Sequence, residues 1–429
     1  METGDGQPFL WLADTAWELL NRLRPAEALH YLRVRAGQGF NVVQLVALAE
    51  FGGLGPNVLG HVPLLERDPR TPNPAYFEYL DSVLTWAEEL GLYVCLLPAW
   101  GDKVTPGWGA GPVVLGEANA YVYARWLAER YRDRENLIWM LGGDRPAHYD
   151  DHHGQADHRP IWRSMARAIL EQIPAALIGY HTGGGPAHWR TARMLPAEPW
   201  LHFNSLQSGH GGGFDLPLWD WIGEDLRLDP SRPVLDLEAN YEGSPVSPWP
   251  EYIPLNGRFT DHDVRKQLWR GVLAGAAGMS YGHHSVWQFW DSGREPVLHP
   301  DSAWLEALHH PGAVHAGIMR RLLDAHLPLR TPAQQLIAPV TDHRPSHARA
   351  ALDPTGQTAL IYLPSSQGFT VRLAGFGGDV RARWLDPRSG DAHSAFDIPA
   401  RPAQLLHTPP GGPDWVLKLE AVPFTPDQG

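Results

Sequence analysis

The chain has 429 residues, of which 43% are hydrophobic and 19% are charged. This composition is globular rather than disordered, and the length allows two domains, or one large domain with an appendage, at roughly 100–200 residues per domain. No apolar run approaches the about 20 residues that cross a bilayer, and Met1 to Pro8 lack the basic and apolar segments of a signal peptide. We expect no membrane partner. The location should be cytoplasmic as the chain is written, and secreted or periplasmic if the N-terminus is truncated.

The charge and the cysteine content exclude further classes. Cys95 is the single cysteine, which rules out an internal disulfide and a thiolate metal cluster. The net charge is −13, and no basic run is present that could neutralise a polyphosphate, so nucleic acid is not an expected partner. Tryptophan is unusually frequent, with 19 Trp against 13 Tyr and 12 Phe. The tryptophan side chain has a large apolar face and one polar group, which suits a partly solvated ligand such as a sugar ring. We therefore expect a carbohydrate partner.

Eight short apolar runs, bounded by Gly, Pro or Asp, recur from the start of the chain to residue 281. They are continuous rather than alternating, which is typical of parallel strands that are buried on both faces. The predicted strands are 9–13, 41–47, 92–97, 136–141, 177–180, 200–204, 233–237 and 277–281.

Between these runs, apolar residues recur at the spacing of one helix face. Three such stripes are Leu80, Val83, Leu84, Ala87 and Leu90; Ala120, Ala124, Leu127 and Tyr131; and Trp162, Met165, Ile169 and Ile173. Thr260, with Asp263 three residues later, predicts the N-cap of a further helix through Val264 and Val272. Alternating strands and helices predict a (β/α)8 TIM barrel in residues 1–327, with a fifth unit that has room for only one short helix.

The pattern changes after residue 327. Residues 328–335 (PLRTPAQQ) are typical of a linker, and from there apolar and polar residues alternate between turn signals. We therefore predict a C-terminal antiparallel β-sandwich in residues 336–429. The clearest alternation places Val380, Ala382 and Trp384 against Arg381 and Arg383.

Two acidic residues follow predicted strands at the edge where a barrel carries its active groups. Asp144 ends the fourth unit after two glycines (GGD), and Glu238 ends the seventh, with Asp236 predicted on the same face one layer below. Carboxylates on these strands face each other across a barrel, as glycoside hydrolysis with retention requires. We assign Asp144 as acid/base and Glu238 as nucleophile, because a second negative charge nearby raises the pKa of one of them.

Other polar and aromatic residues near strand ends could bind or orient a substrate. Asp14, Trp17, His181, Asn204, Gln207, His210, Tyr241 and Trp287 are the predicted substrate-binding residues. Trp17 and Trp287 could stack on a sugar face, and Tyr241 could hydrogen-bond the nucleophile. Glu242 is a rival nucleophile, but its place four residues past the strand end favours a supporting role.

Two other functions remain open at this stage. Asp150, Asp151, His152, His153 and His158 form a dense cluster that a metal-dependent hydrolase could use. Adjacent residues rarely converge on one metal, however, so a solvated loop is the favoured interpretation and no metal is assigned. The non-enzyme alternative is a carbohydrate-binding protein whose barrel has lost catalysis. No phosphate loop, dinucleotide fingerprint or nucleophile elbow is present, so no cofactor is expected, and the oligomeric state is left open.

Four motifs resemble the apiosidase-like glycoside hydrolases over about residues 8 to 327. They are FLWLADTAW at 9–17, the GGD at 142–144, E-x-x-Y-E-G at 238–243, and GMSYG at 278–282 followed by His283 and Trp287. The C-terminal part is similar to the collagen-binding-type β domain that often follows this barrel.

The resemblance implies a retaining, exo-acting enzyme that removes apiose from plant cell-wall pectin side chains. It matches the acid/base to Asp144 and the nucleophile to Glu238. The sequence departs from broader barrel glycosidases, which place an Asn before the fourth-strand acid to hold the sugar 2-hydroxyl, because that place is Gly143. A pocket shaped for a small furanose, or a 2-hydroxyl contact from Asn204 or His181, would account for this departure. Arabinofuranosides and small β-pyranosides remain alternative substrates.

Overall fold

The computed structural model describes residues 1–105, 109–151, 154–185, 187–209, 213–249, 251–325, 331–338 and 343–423. In the first three quarters of the chain, the strands are β1 Trp11–Thr15, β2 Val42–Leu48, β3 Tyr93–Ala99, β4 Leu137–Gly142, β5 His148–Asp151, β6 Gly154–Asp157, β7 Ile178–His181, β8 Asn204–Leu206, β9 Val234–Asp236 and β10 Gly278–Tyr281. The helices are α1 Leu19–Arg22, α2 Pro25–Gln38, α3 Pro74–Glu89, α4 Glu117–Tyr131, α5 Arg159–Gln172, α6 Thr191–Met194, α7 Leu218–Asp225, α8 Asp261–Leu273, α9 Trp304–Ala307 and α10 Pro311–Asp324.

Eight parallel strands form a nearly closed barrel in the order β7-β4-β3-β2-β1-β10-β9-β8. The two ends of this sheet meet where the backbone N–H of His202 donates to the carbonyl of Ile178 at 2.9 Å. The inner faces of the strands build one apolar cluster that includes Trp11, Val46 and Met140, and the outer faces pack against the helices. The predicted (β/α)8 barrel is confirmed.

One predicted strand differs from the structure, and one pair of strands was not predicted. The sixth strand begins at Asn204 rather than at residue 200, because Trp200 and Leu201 are buried in the segment that precedes it. The hairpin formed by β5 and β6 follows the fourth strand, and its mostly polar sequence contains no apolar run. The fifth unit is as short as predicted, since α6 has only four residues.

The N-cap predicted at Thr260 is present. Its side chain accepts a hydrogen bond from the backbone N–H of Asp263, and Asp263 accepts one in return from the N–H of Thr260. This reciprocal capping satisfies two backbone donors that would otherwise be unpaired at the start of α8.

Antiparallel strands follow the barrel: β11 Thr331–Pro332, β12 Ile337–Ala338, β13 Arg349–Leu352, β14 Thr358–Leu363, β15 Gly368–Arg372, β16 Val380–Leu385, β17 Phe396–Ile398, β18 Ala403–His407 and β19 Trp415–Ala421. They form a six-stranded sheet, β11-β13-β14-β19-β16-β17, and a three-stranded sheet, β12-β15-β18. The alternation along β16 is observed, with Arg381 and Arg383 exposed between buried neighbours. Part of the predicted linker belongs to the sheet, because Thr331 and Pro332 pair with β13.

The barrel and the β sheets share an apolar cluster. Trp269 of α8 stacks on Tyr362 of β14 with ring centroids 5.7 Å apart. Beside this stack, the guanidinium of Arg265 forms a buried ion pair with Asp414 at 2.7 Å. Within the described residues, no helix is long and apolar enough to cross a lipid bilayer.

Candidate active site

A cavity of about 570 Å³ opens at the carboxyl ends of the barrel strands. Asp144, two residues past β4, and Glu238, two residues past β9, both line it. In the ring of strands, β4 and β9 are separated by β7 and β8, so the two carboxyl groups approach the cavity from different sides. A volume of this size is in the usual range for a small-molecule site.

Glu238 is held by hydrogen-bond donors. Its side chain is nearly buried, and the hydroxyl of Tyr241 hydrogen-bonds to it. The indole N–H of Trp17 donates to the oxygen of Tyr241 at 2.8 Å, which orients the tyrosine proton toward the carboxylate. The chain from Trp17 through Tyr241 therefore stabilises an ionised Glu238.

His181, at the end of β7, connects the two acidic positions. Its Nδ1 accepts a hydrogen bond from the backbone N–H of Asp144 at 3.3 Å, and its Nε2 lies 3.2 Å from Oε2 of Glu238. The second contact falls short of full hydrogen-bond geometry. A neutral imidazole that accepts at Nδ1 carries its proton on Nε2, so the N–H side of the ring faces the carboxylate.

Asp144 sits on a strained turn. Its φ is +51°, in the left-handed region that residues other than glycine rarely adopt, and Gly142 and Gly143 before it also have positive φ. A Cβ at Gly143 would approach the backbone nitrogen of Gly101 to 2.8 Å. The turn therefore requires glycine, and it projects the Asp144 side chain, which is 32% exposed, into the cavity.

Arg145 joins Asp144 to a third carboxyl group. Its Nη1 lies 2.8 Å from Oδ2 of Asp144, and its Nη2 lies 2.9 Å from Oε1 of Glu50. Glu50 follows β2 by two residues and also lines the cavity. Burial raises the pKa of Glu50 to about 8; Arg145 opposes this rise, and the negative charge of Asp144 adds to it.

Aromatic side chains form much of the cavity wall. Trp17, Trp100, Trp189 and Trp287 are each less than a tenth exposed, whereas Trp249 is 53% exposed at the rim. Flat apolar faces arranged around a few carboxyl groups suit a ring that carries hydroxyls on its edges.

The predicted site residues fall into four groups, of which one, Asp14 and Asn204, lies away from the cavity lining. Asp144, Glu238, Trp17, Gln207, Tyr241 and Trp287 line the cavity. His181 is fully buried behind it and touches Glu238. His210 lies outside the described residues.

Asp14 is a correction, because it does not reach the cavity. It is fully buried, it pairs with Arg35 of α2 at 2.6 Å, and it accepts a hydrogen bond from the hydroxyl of Tyr31. Asp14 lies within β1, on the face of Leu12, which packs toward the helices; Trp11 and Ala13 face the barrel interior. Its role is structural.

Asn204 and Asp236 also differ from expectation. Asn204 is the first residue of β8, and it is buried away from the cavity lining. Asp236 does not lie beneath Glu238 in the cavity. It accepts a hydrogen bond from Ser208, whose hydroxyl also receives one from Gln267 of α8. Burial raises the pKa of Asp236 to about 7.

Glu242 has a supporting place, in line with the expectation. Its carboxylate accepts hydrogen bonds from the hydroxyl of Tyr281 at 2.7 Å and from the backbone N–H of Gly312 at 3.0 Å, at the start of α10. It does not line the cavity.

The structure describes only part of the acidic and histidine-rich segment. Asp150 and Asp151 belong to β5, and His158 precedes α5, whereas His152 and His153 lie outside the described residues. In the part of the chain that the structure describes, no three His, Cys, Asp or Glu side chains are grouped to hold a metal ion.

Several lining residues escaped the sequence analysis. Glu50 and Trp100 follow β2 and β3 by one or two residues, so the rule that placed Asp144 at a strand end could have found them. Trp249 lies on a long loop after β9, and no pattern in that loop marks its contact with the cavity.

Comparison with solved structures identifies the class of enzyme to which the chain belongs. It is similar to a glycoside hydrolase family 5 protein from Bacteroides vulgatus ATCC 8482, with 26% identity, a TM-score of 0.86, and coverage of 97% of this chain and 90% of that one. A second chain, described only as a glycoside hydrolase, has 25% identity, a TM-score of 0.84, and coverage of 97% and 94%. With the carboxyl-lined cavity, these similarities define a glycoside hydrolase on a barrel fold.

The family follows from the family models. The model of the apiosidase-like catalytic domain matches residues 1–329, so the chain belongs to the apiosidase-like family. A second model, described as "Putative collagen-binding domain of a collagenase", matches residues 331–420. Comparison with functionally curated proteins gave no match.

Proposed function

We propose that this glycoside hydrolase is exo-acting, works with retention of configuration, and removes a terminal apiose or a similar furanosyl residue from plant cell-wall-derived oligosaccharides. Membership of the apiosidase-like family supports the choice of sugar. The single observation that carries the mechanism is that Asp144 and Glu238 line one cavity from different strands, with His181 between them.

In the first step, an oxygen of the Glu238 carboxylate attacks the anomeric carbon and the bond to the leaving oxygen breaks. Asp144 gives its proton to that oxygen, so the leaving group departs as an alcohol. In the second step, water attacks the anomeric carbon, its proton returns to Asp144, and the bond to Glu238 breaks. Two inversions at one carbon give net retention.

The environments of the two carboxyl groups support this division of roles. Glu238 is nearly buried and faces hydrogen-bond donors from Tyr241 and His181, which favours the ionised form that a nucleophile needs. Asp144 is the more exposed group, as suits an acid that exchanges protons with a leaving group and then with water.

The cavity supports a small terminal sugar. Four nearly buried tryptophans enclose it on its walls, and the compact glycine turn before Asp144 places no side chain beside the acid. The exposed Trp249 at the rim is placed to meet the part of the substrate that leaves.

The test is a screen of aryl apiosides, arabinofuranosides and small β-pyranosides with the wild type and two variants. We expect Asp144→Ala to keep activity on substrates with good leaving groups, which need little protonation, and to be partly restored by azide. Glu238→Ala should lose activity on all of them. Product analysis by NMR at early times, with methanol as acceptor, should give the retained anomer.

Glu224→Gln is the control, because Glu224 is an exposed, arginine-paired carboxylate outside the cavity and its loss should leave kinetics unchanged. Equal and mild losses in the Asp144 and Glu238 variants would contradict the two roles. An inverted product would contradict the covalent intermediate, and activity confined to pyranosides would contradict the sugar.

A further inference from the structure

Glu50 is placed as an active-site group, although the two-carboxylate mechanism gives it no part. It lines the same cavity as Asp144, and its side chain is 16% exposed, half as much as that of Asp144. Oε1 receives the Nη2–H of Arg145, and Oε2 has no hydrogen-bond partner among the described residues.

The charges around Glu50 leave one cation between two carboxyl groups. The charged groups that face its carboxyl group are Arg145, Asp144, Asp102 and Glu18, and the ammonium of Lys103 donates to the backbone carbonyl of Glu50 at 3.3 Å. Asp102 has its own partner in Lys103 at 2.9 Å, and Glu18 has Arg22 at 3.9 Å. Arg145, only 1% exposed, is therefore shared by Glu50 and Asp144. Two carboxylates with one buried cation retain a negative charge that binding a proton removes.

We propose that Glu50 is a positioning residue that forms a coupled pair with Asp144 around Arg145, and that this pair holds one proton and thereby keeps the acid of the reaction available at neutral pH. The role assigned to the pair in catalysis rests on the proposed function of Asp144. In the free enzyme the proton resides mainly on Glu50, the more buried partner, whose pKa is raised to about 8 by burial.

The pair explains how Asp144 can be an acid although it touches an arginine. An arginine beside a single carboxyl group favours the carboxylate, which has no proton to give to a leaving group. When Glu50 ionises in place of Asp144, it offsets the charge of Arg145, and the proton can occupy Asp144. Apparent pKa values then belong to the pair, and activity that needs the acid falls above about pH 8, where the last proton is lost.

The test uses Glu50→Gln, which keeps the shape of the side chain and removes the titration. The pH dependence of kcat/KM is measured on methyl apioside, whose leaving group needs protonation, and on dinitrophenyl apioside, whose leaving group does not. We expect the upper limb on methyl apioside to move to lower pH by about one unit or more, and the dinitrophenyl profile to keep its upper limb. An upper limb that stays in place on methyl apioside would overturn the inference.

Glu224→Gln is the matched control, since Arg190 is shared by Glu224 and Asp225 in the same way outside the cavity. Its pH profiles should equal those of the wild type.

A second readout needs no substrate and separates this inference from the proposed function. The infrared band of protonated carboxyl groups is followed from neutral to alkaline pH. We expect a component that disappears near pH 8 in the wild type, is absent from Glu50→Gln, and disappears at lower pH in Asp144→Asn, which leaves Glu50 alone with Arg145.

Asp144 is partly exposed, so the Asp144→Asn variant is informative even if Glu50→Gln does not fold. The same titration in the wild type and Asp144→Asn would refute the shared proton. If the infrared titrations are as expected but neither apioside is hydrolysed, the proposed substrate is contradicted and the inference about the Glu50–Asp144 pair is still supported.

Discussion

His181 has two roles that depend on one ring orientation. By accepting from the backbone of Asp144, it fixes which nitrogen faces Glu238, and the edge of Trp17 and the tilted ring of Trp100 hold it in place at centroid distances of 5.1 and 5.6 Å. A histidine that is oriented by the backbone of Asp144 and that contacts Glu238 couples the geometry of the two carboxyl groups.

His181→Phe should keep the packing and remove the polar contact. A hydrogen bond to a charged group contributes about 1.5–3 kcal/mol, so kcat/KM should fall roughly ten- to hundredfold, mainly through kcat. Steady-state kinetics with thermal melting would measure this change. His202→Phe is the control, because His202 also accepts a backbone N–H at Nδ1, but from Ile178 at the start of β7, whereas His181 at the end of that strand contacts Glu238. Equal kinetics in both variants would show that His181 only packs.

At the scale of elements, the barrel could be predicted because its strands are buried on both faces and read as continuous apolar runs. The same logic extended the sixth run too early, because Trp200 and Leu201 are buried in the segment that precedes the strand. An apolar run indicates that its residues are buried, but it does not show that they form a strand.

The two-residue alternation of strands explains why some site residues could be predicted and others could not. Asp14 stays within β1, so its face is fixed, and it packs toward α2 instead of the cavity. Glu238 lies beyond the end of β9, where alternation no longer applies, and the chain turns it into the cavity while Asp236 faces α8. Which way a residue at a rim turns depends on contacts from distant loops, and these are not encoded locally.

Trp249 lies on the loop between β9 and α8, and its substitution tests whether such a loop contributes to substrate binding. Trp249→Ala should lower kcat/KM by about tenfold on an oligosaccharide, because a stacked indole buries apolar area worth about 1–2 kcal/mol. It should leave kcat/KM on an aryl monoglycoside within about twofold, as no second sugar is present. Equal losses on both substrates would place Trp249 against the terminal sugar instead.

At the scale of the whole molecule, the barrel and the β sheets are built as one packed body. Apolar residues from α8, β14 and β19 share a cluster, and the pair of Arg265 and Asp414 lies beside it with both side chains at most 1% exposed. The hydroxyl of Tyr362 also donates to Asp414 at 2.7 Å. Arg265 has a second, partly exposed partner in Asp261 at 2.9 Å, so removing Asp414 weakens the compensation of its buried charge without abolishing it.

Asp414→Asn should therefore lower the free energy of unfolding by about 1.5–3 kcal/mol, the usual contribution of hydrogen bonds to a charged group. Because the buried contact couples the two parts, the wild type should unfold in a single calorimetric transition, and the variant should melt lower. Asp397→Asn is the matched control, since its pair with Arg381 is more than half exposed and should contribute less than about 1 kcal/mol. Equal melting of both variants would indicate that the contact is not coupled to folding.

The glycine turn before Asp144 also connects neighbouring loops through the backbone. The N–H of Gly143 donates to the carbonyl of His181, and its carbonyl accepts from the N–H of Gly101. These two hydrogen bonds fix the relative positions of the segments that follow β3, β4 and β7. Only the backbone of residue 143 takes part. Grafting one of these loops from another glycoside hydrolase, or placing an asparagine at residue 143, would require the other two loops to be exchanged with it. Engineering of new specificities is consequently best begun on the β9–α8 side of the opening.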